Sequence, residues 1–131
     1  MDAAELDRIA RRFGIVLLLQ FGSSITGRLH ARSDVDLGVL LERPALSLSG
    51  RSELLHEVQR LFPDREVDLA VLNHADPLLL KRVMDRCTLL HGSARRRHEL
   101  AMYAFRRYHD HRRYFDMERE YVRRRLSPAT C

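Results

Sequence analysis

Apolar positions along the chain follow two rhythms that alternate. Leu6, Ile9, Ala10 and Phe13 recur at i, i+3, i+4 and i+7, which places them on one face of a helix. Asp2 and Glu5 have the spacing of a capping box at its start, and Gly14 can close it. Ile15–Phe21 is a short β-branched and apolar run bounded by glycines, the pattern of a buried strand. Gly22-Ser23-Ser24 follows at once, and residues 24–29 read as a short helix. Val35–Leu41 reads as a second buried strand, followed by a loop through Pro44 and Gly50. Leu54, Leu55, Val58, Leu61 and Phe62 make a helical stripe that ends at Pro63, and residues 67–72 form a third strand. Asp76-Pro77 is an N-cap with proline at the first helical position, opening a helix that carries Leu79, Leu80, Val83 and Met84. Residues 87–90 suit a short edge strand. After Gly92-Ser93 one long helix over residues 94–126 sets Leu100, Ala104, Tyr108, Phe115, Val122 and Leu126 on its apolar side.

Helices alternating with strands predict an α/β (α+β) domain, a small mixed sheet flanked by helices. With 131 residues the expectation is one domain over 1–131, a core at about 3–92 and an arginine-rich C-terminal helix at about 94–126. Hydrophobic residues at 45% and charged residues at 31% are those of a globular chain and exclude a disordered one. The longest apolar run, Ile15-Val16-Leu17-Leu18-Leu19, is too short to span a bilayer. The start Met1-Asp2-Ala3-Ala4-Glu5 lacks the basic-then-apolar order of a signal peptide, and Cys87 and Cys131 are too few to staple a secreted fold. A soluble, cytoplasmic protein is expected.

The formal charge of +5 is unevenly placed. Between residues 94 and 126 eleven arginines face Glu99, Asp110, Asp116, Glu118 and Glu120, a local +6, so the remainder of the chain sums to −1. The basic excess belongs to one segment and does not by itself mark a nucleic-acid binder.

One local echo carries chemistry. Val35-Asp36-Leu37-Gly38-Val39-Leu40 and Val67-Asp68-Leu69-Ala70-Val71-Leu72 each place an aspartate at the same point of an otherwise apolar strand. An aspartate there is costly unless paired or bound to a metal. Asp34 and Asp36, two apart on an extended chain, point to one face. If the third strand neighbours the second, Asp68 joins them. Three carboxylates suit two Mg²⁺ ions, the arrangement that clamps attacking and leaving oxygens in an in-line phosphoryl displacement. Gly22 and Ser23 suit a triphosphate: glycine lets the backbone approach closely, and the hydroxyl with a following helix N-terminus offers donors. Taken singly, each has a plainer reading as a turn, a cap or a salt-bridged strand end.

Gly22-Ser23, ten residues, then Asp34-Val35-Asp36, with Asp68 in a following strand, resembles the minimal nucleotidyltransferases of the DNA polymerase β superfamily. More narrowly it is similar to the MNT antitoxins paired with HEPN toxins. The resemblance covers about residues 3–92 and implies a polymerase β-like fold with Mg²⁺-dependent transfer of a nucleoside monophosphate and release of pyrophosphate. By position, Gly22 and Ser23 would bind the triphosphate and Asp34 and Asp36 the metals. Asp68 would be a third metal ligand or would activate the acceptor hydroxyl. In the antitoxin family ATP is the donor, a tyrosine hydroxyl of the HEPN RNase toxin is the acceptor, and the added AMP silences the toxin. Two other readings stay open: a non-catalytic antitoxin that acts by occlusion, and a small-molecule nucleotidyltransferase of the antibiotic-modifying type, whose additional substrate domain is missing here.

Weaker signals surround this motif. Ser33, just before Asp34, is common in such motifs or is simply a loop or capping serine, and Arg28, His30 and Arg32 lie between the motif's halves, within reach of phosphate or in a solvated loop. Arginine interleaved with Tyr103, Tyr108, Tyr114 and Tyr121 on the last helix is the composition of a surface for a protein partner, with RNA a lesser alternative and plain solvation the bland one. Arg106 and His111 have the spacing of the HEPN RNase motif, a match that an arginine-rich helix supplies by chance. The seven histidines show no zinc-ligand spacing, and Cys87 suits a core position.

Overall fold

The computed structural model describes residues 1–22, 34–43 and 46–126. The elements run α1 (Ala3–Phe13), β1 (Ile15–Phe21), β2 (Val35–Leu41), α2 (Leu48–Gln59), β3 (Val67–Val71), a short 3₁₀ turn (Leu72–His74), α3 (Pro77–Asp85), β4 (Cys87–His91) and α4 (Ala94–Leu126). The four strands form one mixed sheet in the order β3-β2-β1-β4. β1 pairs antiparallel with β2 and β4, while β2 and β3 are parallel, so the expected mixed sheet is present and β4 is an edge strand as its pattern suggested.

Each face of the sheet carries its own core. Val35, Leu37, Val39 and Leu41 of β2 alternate into a cluster with Leu6 and Ile9 of α1 and Leu54 and Val58 of α2. On the other face Leu17 and Leu19 of β1 pack with Leu80 and Val83 of α3 and with Leu100 and Ala104 of α4. Leu18 of β1 packs in the first cluster and Leu17 and Leu19 in the second, so alternation alone lets its apolar run serve both, with a register shift against β2 between Ile15 and Leu17.

Several local features differ from the sequence expectation. Asp2 caps α1 by accepting from Ala4 N–H, but Glu5 turns to Arg8 instead of closing a reciprocal capping box. The loop after β2 does not extend through Gly50. Ser47 is an N-cap whose Oγ accepts from Gly50 N–H at 3.0 Å, so the glycine sits in the first turn of α2, where a cap offsets its entropy cost. α2 ends at Gln59 and not at Pro63. Leu61 and Phe62 follow in a tightened turn and still pack on the α1/α2 core. The predicted apolar side of α4 is buried only at Leu100 and Ala104, and Phe115, Val122 and Leu126 are exposed.

Candidate active site

Asp36 and Asp68 occupy the second position of β2 and β3 and are register partners in the parallel pair. Parallel neighbours in register lie about 4.8 Å apart and project to one face. Because Val35 and Leu37 point into the α1/α2 core, Asp36 projects to the opposite face, that of α3 and α4. The row continues across the sheet, with Phe21 opposite Asp36 and Cys87 opposite Phe21. Asp36 is half-buried, whereas Asp34 and Asp68 are exposed. Burial first, then the charges of Asp68 and Asp34, push the Asp36 carboxyl above its ordinary value. Asp34 stands just ahead of β2 and is close enough to contribute to that repulsion.

Gly22 follows Phe21 directly and has φ 82°, in the left-handed region. A Cβ there would stand 3.2 Å from Asp36 Cγ and closer still to Oδ2. Glycine is therefore required twice over: for its backbone conformation and for the close approach of the turn to the carboxylate.

Two hydrogen-bonded devices fix this end of the sheet. Val35 N–H donates to Glu66 C=O at 2.8 Å, which starts the β2–β3 ladder just below the aspartates. Gln59, the last residue of α2, donates from Nε2 to the carbonyls of Phe62 (3.0 Å) and Arg65 (2.5 Å). Its Oε1 accepts from Val67 N–H at 2.9 Å. One amide thus holds the loop into β3 and sets where Asp68 falls. At the far end Asn73 continues the ladder with its side chain, accepting from Leu41 N–H and donating to Leu41 C=O. Neither amide stood out in the sequence. A polar residue within an apolar helix stripe, eight positions before a strand, is the only signal that Gln59 gave.

Of the residues expected in the site, the structure places Asp36 and Asp68 together, Gly22 against Asp36, and Asp34 at the entry to β2. Ser23, Ser33, Arg28, His30, Arg32 and the helix expected at 24–29 lie outside the described residues. Among the described residues no three His, Cys, Asp or Glu side chains converge tightly enough to hold a metal ion. The donor set nevertheless fits a hard divalent cation: all carboxylate, open to water, and with an Asp36 whose anion is disfavoured by burial and then by its neighbours' charge. Cys87 lies farther along the row, and burial pushes its thiol up, which suits a packing residue and not a nucleophile.

Paired strand aspartates beside a glycine turn, on a mixed sheet covered by helices, suit an enzyme that handles phosphate. The family model described as "Polymerase beta, Nucleotidyltransferase" matches residues 5–96, and the chain belongs to that family; it is a nucleotidyltransferase with a polymerase β-like fold. No curated protein matches it. One chain of a crystal structure of a toxin–antitoxin with AMP-PNP superposes with a TM-score of 0.71 at 22% identity, over 98% of this chain and 100% of that one. One chain of the complex of tri-AMPylated Shewanella oneidensis HEPN toxin with MNT antitoxin gives 0.64 at 21% identity, over 95% of each. A toxin–antitoxin MntA–HepT structure gives 0.63 at 20% identity, over 95% of this chain and 96% of that one. At these identities the likeness is one of fold.

Proposed function

We propose that this chain transfers AMP from ATP to a hydroxyl, that of a tyrosine, on a HEPN-type RNase toxin, and so acts as its antitoxin. The observation that carries the reading is the Asp36–Asp68 pair, in register beside Gly22, in a chain of the nucleotidyltransferase family. The toxin as acceptor is supported by the similarity to a chain of a complex whose HEPN toxin is tri-AMPylated, and ATP by the similarity to a toxin–antitoxin structure with AMP-PNP.

In this reading Gly22 and Ser23 bring the turn after β1 to the triphosphate, with no side chain on Gly22 to hold it off. Asp34, Asp36 and Asp68 would hold the two Mg²⁺ ions. Bound there, Mg²⁺ supplies charge neutralisation on the phosphates and stabilises the attacking and leaving oxygens of an in-line displacement. The acceptor oxygen bonds to the α-phosphorus of ATP, the bond from that phosphorus to the bridging oxygen breaks, and pyrophosphate leaves with the electron pair. Asp68, on the edge strand β3, would take the acceptor's proton or share a metal. The partner brings the acceptor to a site that the chain leaves exposed at Asp34 and Asp68.

Among the described residues no helix is long and apolar enough to cross a membrane. The reading assigns the protein to the cytoplasm, where ATP and Mg²⁺ are at hand. Co-expression with the HEPN toxin tests it. Wild type should restore growth, and the pair Asp34→Ala with Asp36→Ala should not. Full rescue by that pair would mean that occlusion suffices without catalysis.

A further inference from the structure

One stripe of α4 runs from the protein's core into the open. Leu100, Ala104, Tyr108, Phe115, Val122 and Leu126 fall within about 80° of arc at 100° per residue. Leu100 and Ala104 are 8% and 1% exposed, yet Phe115, Val122 and Leu126 are 42%, 43% and 75% exposed. The change comes where α3 ends its cover: Lys81 lies over the Tyr108 ring, and beyond it Leu78 borders an open groove of about 500 Å³ with Phe115. Arg112 and Arg119 line that groove, and among the described residues neither has an ion-pair partner. From 105 to 126 the helix carries eight arginines against four carboxylates, and one of those, Glu120, is already engaged by Arg123 and Arg124.

We propose that the distal half of α4, residues 105–126, docks an amphipathic helix of a protein partner whose apolar face is flanked by carboxylates. The exposed stripe takes the apolar face, and Arg112 and Arg119 take the acids. A second copy of this chain would set two net-positive helices against each other. Single-stranded RNA would stack on rings, and Phe105, Tyr114 and Phe115 are exposed here, but the distal end of the stripe, Val122 and Leu126, is aliphatic and Tyr121 is held by Arg125.

The proposal rests on the reading that the chain acts on a protein. Its test uses neither ATP nor Mg²⁺, so its failure would leave AMP transfer standing. The full chain is titrated calorimetrically with a synthetic helical peptide bearing a leucine stripe flanked by glutamates, and with a scrambled peptide of the same composition. The ordered peptide should bind saturably and shift amide resonances of residues 105–126, and the scrambled one should not. Phe115→Ala with Val122→Ala, and separately Arg112→Glu with Arg119→Glu, should each weaken binding about tenfold or more while melting temperature and helicity stay unchanged. Equal binding of the scrambled peptide, or indifference to both variants, overturns the proposal. Self-association of the free chain that Phe115→Ala abolishes would replace it with a homodimer. Oligouridylate binding that exceeds peptide binding and needs only the arginines would replace it with RNA.

Discussion

Asp36 and Asp68 face one another across the parallel β2–β3 pair, on the sheet face that α3 and α4 cover farther along. Burial and the charge of that neighbour together raise the Asp36 carboxyl above its ordinary value, so folding without metal disfavours the charged form of this side chain relative to the unfolded chain. A raised carboxyl stabilises the fold fully below the unfolded-state value and loses that contribution as pH rises through the folded-state value.

Asp36→Asn should therefore raise the melting temperature of the metal-free protein by a few degrees at neutral pH while abolishing nucleotide transfer. The gap from wild type should close below about pH 4, where both side chains are neutral. Melting curves in EDTA from about pH 3 to about pH 8, which spans both protonation states of a carboxyl, measure it; a wild type more stable than the variant at neutral pH would contradict it.

Mg²⁺ should reverse that order. An ion that binds only the folded state at about 100 times its Kd adds about 2.7 kcal/mol of stability. Wild type should gain in melting temperature with Mg²⁺, and Asp36→Asn should gain little. Equal shifts in both would place the cation elsewhere.

Gly22→Ala introduces a Cβ at a left-handed position and against the Asp36 carboxylate. It should cost about 1–3 kcal/mol and most of the activity. Adding Asp36→Ala should recover part of the lost stability, the steric share, and none of the activity. Denaturant melts of the double-mutant cycle read that coupling, and strict additivity would mean that turn and carboxylate do not touch.

Gln59→Ala removes three hydrogen bonds at the entry to β3 and should cost about 1–3 kcal/mol. Because it also loosens the start of the strand that carries Asp68, turnover should fall even at temperatures where the variant is fully folded. Loss of stability with unchanged turnover would confine Gln59 to a structural role.

The strands and their aspartates were legible because the sheet is simple. An aspartate repeated at the same point of two apolar runs lands in register once those strands are neighbours, and β2 and β3 are. The start of α2 was not legible: Leu48, Ser49 and Gly50 look like a loop until Ser47 is seen to cap them. Gln59 was missed because its work is to hold backbone groups that no pattern marks. The fate of the α4 stripe was hidden for a different reason. Leu100 and Val122 obey one periodicity, and the extent of the cover from α3 and β1 decides which is buried. Ser23 and the rest of the expected phosphate turn lie outside the described residues.

The central claim is transfer of AMP to a protein by the Asp36–Asp68 site. Its most direct test is incubation with α-labelled ATP and Mg²⁺ in the presence of the partner toxin or a lysate of the host cells, comparing wild type with Asp36→Ala. The account predicts label on one discrete protein, lost in the variant and lost when EDTA replaces Mg²⁺. A stable complex with an unlabelled partner, or label that persists in Asp36→Ala, would contradict it.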